Sequence, residues 1–86
     1  MPSIVVYCTT HCPYCTRARM LLDKKGVAYS EINLDSQPDK RPEMEKLSGG
    51  RTSVPQIFID DFHVGGFDDM VDLDMDGELD PKLGIA

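Results

Sequence analysis

Two of the chain's three cysteines stand three positions apart in Cys12-Pro13-Tyr14-Cys15, directly after the apolar run Ile4, Val5, Val6 and Tyr7. Residues 17–25 behind the motif read as a helix, with Pro13 tolerated in its first turn, where a missing N–H costs nothing. A strand that feeds a Cys-x-x-Cys at a helix start is the sequence form of a thiol–disulfide centre. The first backbone N–H groups of a helix lack internal partners and present the positive end of the peptide dipoles. A cysteine placed there is held as the thiolate, with a pKa lowered from about 8.5 into the range of roughly 3.5 to 7.5. Few other local arrangements constrain both the fold and the chemistry so tightly.

Size and charge narrow the field. With 86 residues the chain is expected to form a single domain, residues 1–86, around one compact core. No apolar stretch approaches the roughly 18 residues of a membrane span. The N-terminus lacks a signal-peptide pattern, and residues 3–7 read as a first strand. A reducing, cytoplasmic location is therefore expected, where cysteines serve catalysis or metals more often than structural cross-links. Charge is uneven: residues 1–51 carry eight Lys/Arg against six acids, whereas residues 52–86 carry nine acids and only Lys82. No basic stripe is present, which argues against nucleic acid as a partner. The acidic end reads as a solvated face that keeps the chain soluble and, as expected here, monomeric.

Local signals set out the order β-α-β-α-β-β-α. Cys15, Ala18 and Leu22, joined by Met20 and Leu21, give the first helix an apolar stripe that Gly26 ends. Residues 28–34 alternate as a second strand. Ser36, Pro38 and Asp39 supply an N-cap, an early proline and a first-turn acid for a second helix, which stops at Gly49-Gly50. Residues 54–59 read as a third strand, Asp60-Asp61 as a turn, and residues 62–64 as its hairpin partner. A last helix is expected from about Phe67 to Met75. This order implies an α/β, thioredoxin-like fold: a four-stranded mixed sheet flanked by three helices.

Three segments in order, Cys12-Pro13-Tyr14-Cys15, then residues 52–59 (Thr-Ser-Val-Pro-Gln-Ile-Phe-Ile), then Gly65-Gly66-Phe67-Asp68-Asp69, make the chain resemble a dithiol glutaredoxin over essentially its whole length. The resemblance implies a glutathione-dependent oxidoreductase acting on protein disulfides and protein–glutathione mixed disulfides. Cys12 would attack, Cys15 would resolve, and glutathione would be the reducing co-substrate, with no metal required. Such enzymes sit at roughly −200 to −230 mV, within reach of the glutathione pool. Pro55 would be cis, leaving the Val54 backbone to pair with the cysteinyl part of glutathione in the manner of an added strand. Ser53 belongs to the same segment. Gly66, Phe67 and Asp68 would receive the γ-glutamyl end, and Tyr14 would wall the groove. The family usually carries a lysine three residues before its first active cysteine, for the glycyl carboxylate. Thr9 stands there instead, which leaves Arg41 as the expected cation and predicts weaker glutathione binding.

Other chemistries fit less well. Cys8, Cys12 and Cys15 imitate the cluster motif of radical S-adenosylmethionine enzymes, but 86 residues cannot build the barrel that motif serves. A zinc site from Cys8, His11, Cys12 and Cys15 would require Cys8 and His11 to converge on the helix start. The alternative reading is an iron–sulfur carrier or sensor that uses Cys12 and glutathione, which some relatives adopt with other motifs. Asp72, Asp74, Asp76 and Gly77 resemble half of a calcium loop, yet Leu83 occupies the place of its essential glutamate. Cys8 is expected to be a small buried apolar residue at the end of the first strand.

Overall fold

The computed structural model describes residues 2–85. Ile4–Cys8 forms β1, whose run of β-branched and aromatic side chains suits a strand buried on both faces. Pro13–Lys25 forms α1, Ser30–Asn33 β2, Arg41–Leu47 α2, Gln56–Ile59 β3, Phe62–Gly65 β4, Phe67–Met75 α3 and Leu79–Leu83 α4. The sheet order is β2-β1-β3-β4. β1 and β2 run parallel, with Tyr7 opposite Ile32. β1 and β3 run antiparallel, with Val6 opposite Ile57, and β3 and β4 close an antiparallel hairpin with an irregularity between Ile57 and Phe58. The expected thioredoxin-like mixed sheet is therefore present.

Period-two alternation sorts the strand residues onto two faces. Ile4, Val6, Ile57 and Ile59 join Ala18 and Leu22 of α1 and Met70 of α3 in the larger apolar cluster. Tyr7 and Phe58 point the other way, where Leu34 and Met44 cover them. Their rings meet edge to face at 5.6 Å. Tyr7 also donates its hydroxyl to Glu43 at 2.7 Å, and burial together with that carboxylate pushes the phenol pKa up to about 12.

Several element bounds differ from the sequence expectation, each for a local reason. β2 and β3 are shorter than expected, starting at Ser30 and Gln56. Ser36 does not cap the second helix: Asn33 Oδ1 accepts from the N–H groups of Asp35 and Ser36, and a 3-10 turn at Pro38–Lys40 precedes α2. Met20 lies off the stripe of α1 and is 64% exposed, since two residues from Ala18 is half a turn away. Leu47 is also exposed, because the seven-residue α2 buries only Met44 among its own residues.

Among the described residues the flanking α-helices number four rather than three. The expected order ended with the helix to about Met75, and a proline such as Pro81 disrupts a helix interior. Pro81, however, falls in the first turn of α4, where its missing N–H is harmless. Leu79 and Leu83, one turn apart, then close the end of the larger core. Lys25 at the end of α1 pairs with Asp74 of α3 at 2.6 Å and Asp80 of α4 at 2.8 Å, tying the three helices together.

Candidate active site

β1 carries the chain to the edge of the sheet, and α1 starts after a short loop. Two side chains pin that loop: Asp35 accepts the Thr10 N–H at 2.8 Å, and Asn33 donates to the Thr10 hydroxyl. The Thr10 contacts hold the Asp35 carboxyl below the usual carboxylate range. Cys12 is the N-cap of α1, with extended backbone, and its Sγ accepts the Cys15 N–H at 3.1 Å. The first turn of α1 contains no acid, so nothing opposes the positive helix end at that sulfur. Cys12 and Cys15 are joined as a disulfide with Cα atoms 5.1 Å apart. Cys15 is wholly buried and Cys12 only partly, so an incoming reactant meets Cys12 first.

A cleft of about 350 Å³ opens beside the motif. Tyr14 forms one wall, with its ring 6.4 Å from that of Phe67 and the Arg17 guanidinium above it at 5.2 Å. Ser53, Val54 and Pro55 form the floor, and Gly66, Phe67 and Asp68 the far end. The Val54–Pro55 bond is cis, and Val54 O lies 3.8 Å from Cys12 Sγ. Every groove residue expected from the sequence thus lines this cleft except Arg41, whose guanidinium donates to Thr52 O at 3.0 Å from outside it.

Sequence reading missed two lining residues, Arg51 and Asp69. Asp69 Oδ2 accepts the Gly66 N–H at 2.9 Å and pairs with Arg51 Nη1 at 3.2 Å. The Gly66 amide and then the Arg51 charge hold the Asp69 carboxyl below its ordinary range. Gly65 has φ +110, and a Cβ there would stand 2.9 Å from Arg51 Nη1 and closer still to the Asp69 carboxylate. The glycine thus lets this ion pair lie against the backbone at the start of α3. A signal for Arg51 was available: it is the only Lys or Arg between Lys46 and Lys82.

The remaining candidates resolve locally. Cys8 is 1% exposed, its Sγ 3.7 Å from Glu31 Oε2, and burial followed by that carboxylate pushes its thiol pKa up. Such a thiol is a poor nucleophile. Asp72 and Asp74 lie within helix α3, and Asp74 is engaged by Lys25, so the calcium-loop pattern is helical. Among the described residues no three His, Cys, Asp or Glu side chains are grouped to hold a metal ion. Nor is any described helix long and apolar enough to cross a membrane.

A half-buried cysteine on a helix N-terminus, bonded to a buried partner one turn on and facing a cis-proline segment, defines a thioredoxin-fold dithiol oxidoreductase. Comparison with known proteins narrows the class. Residues 4–64 match the glutaredoxin family, and the chain belongs to that family of glutathione-dependent thiol–disulfide oxidoreductases, in its dithiol branch. It is 52% identical to glutaredoxin 3 of Escherichia coli K12 over 83 residues, covering 96% of this chain and 99% of that protein. It is 49% identical to glutaredoxin 1 of Rickettsia typhi over 82 residues, covering 94% and 79%. Among solved structures, a buckwheat glutaredoxin–glutathione complex superimposes with TM-score 0.88 at 34% identity, covering 96% and 77%. The glutaredoxin of Brucella melitensis does so with TM-score 0.82 at 44% identity, covering 96% and 89%.

Proposed function

We propose that this chain, as a monomer of one domain in the cytoplasm and without a metal, reduces protein disulfides and protein–glutathione mixed disulfides. The observation that carries the reading is the Cys12–Cys15 pair at the mouth of a cleft whose floor is Val54. With a glutathionylated protein, the Cys12 thiolate attacks the glutathione sulfur and that S–S bond breaks. The protein thiolate leaves and takes a proton from water. A second glutathione thiolate then attacks the glutathione sulfur on Cys12, releasing oxidised glutathione and restoring the Cys12 thiolate. With a protein disulfide, the Cys12 thiolate attacks one sulfur. Cys15, after losing its proton, displaces the mixed disulfide and leaves the Cys12–Cys15 disulfide. Two glutathione molecules reduce it again.

The cleft is suited to glutathione. Val54 offers backbone groups to the cysteinyl residue, as a strand edge offers them to a peptide. The free N–H groups at the start of α3, around Phe67, meet the γ-glutamyl carboxylate, with Arg51 beside them, and Asp68 meets its ammonium. Ser53 and Pro55 complete the floor, and Tyr14 closes the side. Arg41, whose guanidinium donates to the Thr52 carbonyl, is the cation for the glycyl carboxylate. The buckwheat relative solved with glutathione supports this occupant.

Single cysteine variants test the reading in a glutathione-coupled assay. Cys12→Ser is expected to abolish activity. Cys15→Ser should retain removal of glutathione from protein thiols and lose reduction of protein disulfides. Full activity in Cys12→Ser would sink the assignment.

A further inference from the structure

Arg17 stands apart from the other arginines. Arg19 Nη1 lies 3.6 Å from Glu31 Oε2, Arg51 pairs with Asp69 at 3.2 Å, and Arg41 donates to Thr52 O at 3.0 Å. Among the described residues Arg17 has no such polar partner. Its Cζ lies instead over the ring of Tyr14, 5.2 Å from the centre. A cation held over a ring is engaged through its charge, and the five N–H donors of the guanidinium stay available.

The place of this cation is set by α1. Tyr14 and Arg17 are three residues apart and share one face of the helix, and both are exposed. Helical side chains lean toward the N-terminus. Arg17 therefore reaches back over Tyr14 toward the end of α1 that carries Cys12. From Cys12 to Leu22 the chain has Arg17 and Arg19 and no acid. Across the cleft, the start of α3 carries Asp68 and Asp69. The two sides of the reactive sulfur thus differ in sign.

Arg17 is not among the residues that line the cleft. Both carboxylates of glutathione have partners elsewhere, at Arg41 and at the start of α3. With the glutathionyl half of a mixed disulfide in the cleft, the half that lies outside is the protein. Arg17 follows Cys12 by five residues, about 7.5 Å along the helix axis. Two or three residues of extended chain span roughly that distance.

We propose that Arg17, held over Tyr14, is a specificity-determining residue that selects protein cysteines with an aspartate or glutamate two or three residues away. The guanidinium fork donates to that carboxylate, a geometry that arginine provides and lysine does not. Asp68, across the cleft, disfavours the opposite orientation of the same chain. The attack by Cys12 is unchanged; what Arg17 alters is which proteins reach it. The inference rests on the reading of the chain as an enzyme acting on glutathionylated proteins, and it names the class of protein.

The test uses two glutathionylated heptapeptides with a central cysteine. One has glutamate two residues to each side, and the other has glutamine there. The readout is the ratio of kcat/KM for the two peptides, so any effect of a substitution on Cys12 or on glutathione capture divides out. Wild type should favour the glutamate peptide about two- to fivefold at low salt, the range of an exposed ion pair. The preference should shrink at about 0.3 M salt. Arg17→Met, which keeps an apolar stem over Tyr14, should abolish it, and Arg17→Glu should reverse it. Lys24→Met removes another exposed charge of α1, about two turns further on, and should leave the preference as in wild type. Equal kcat/KM on the two peptides in wild type overturns the inference. So does a preference that survives Arg17→Met, because another group then supplies it. A preference that falls equally in Lys24→Met overturns it too, because net charge is then the cause. A protein that turns over neither peptide would instead refute the reading on which the inference rests.

Discussion

The backbone N–H of Cys15 donates to the sulfur of Cys12 at 3.1 Å, so the buried cysteine also supplies an electrostatic contact to the half-buried one. An amide aimed at a sulfur favours its anionic form, and the acid-free helix start acts in the same direction. In the reduced protein the Cys12 alkylation midpoint should fall between about pH 3.5 and 7.5. Cys15 and Cys8 should remain unmodified under the same conditions. A midpoint near 8.5 would show that the helix end does not activate the thiol.

Arg51 pairs with Asp69 and lines the cleft next to Gly66. Arg51→Met removes a cation from the proposed γ-glutamyl end of the cleft and should raise KM for a glutathionylated peptide about three- to tenfold at low salt. The difference from wild type should shrink at about 0.3 M salt, because the lost interaction is partly exposed and screened. A salt-independent change would point to loss of packing instead.

Thr9 stands where the family usually has a lysine for the glycyl carboxylate. Thr9→Lys should lower the KM for glutathione, by about two- to fivefold if the new pair is worth what exposed ion pairs commonly are. An unaltered KM would show that this end of the ligand is already satisfied.

Stability should fall on acidification in two stages. Burial, followed by the Arg51 charge, lowers the pKa of His63 in the fold. The unfolded chain therefore binds its proton first, at about pH 6.5. That contribution is complete above this pH and is lost as pH falls through the folded value. Asp35 and Asp69 also have lowered pKa values, so their contribution is complete above about pH 3.9 and is lost below it. The melting temperature should hold between pH 8 and 7, decline below about 6.5, and drop again below about 4. His63→Phe should flatten the first decline; a slope identical to wild type would rule out this assignment.

Leu79 of α4 is fully buried in the larger core. Leu79→Ala should cost about 2–5 kcal/mol in denaturant unfolding. A loss under about 0.5 kcal/mol would mean that α4 is not part of the cooperative unit.

Much of this was legible from residue types. The apolar strand before Cys12, Pro13 in the first turn, Gly26 beyond the last turn and the alternation of β1 and β3 report local backbone preferences. Those preferences act over a few residues and survive into the fold. Cys12 and Cys15 were legible because a dithiol at a helix start carries its own recognisable chemistry, whereas the segments at Val54 and Gly66 were picked out by their resemblance to the family. Ser36 as a cap and Met20 on the apolar stripe were misread because Asn33 holds the Ser36 backbone in a turn ahead of the 3-10 segment and because burial depends on the facing element. α4 was missed because a proline in the first turn looks the same in sequence as one that breaks a helix.

What the chain order could not disclose is which distant side chains meet. Arg51 and Asp69 are 18 residues apart, Gln56 and His63 seven, and Arg41 and the Thr52 carbonyl eleven. No periodicity links such pairs, since their separation is set by the sheet register and by where α2 and α3 pack on it. The residue types therefore established a reactive dithiol on a helix start and the segments beside it. Only the packing of β3, β4 and α2 revealed how the segment beside the cleft is held, because hydrogen bonds between side chains and remote carbonyls exist only once the sheet has closed.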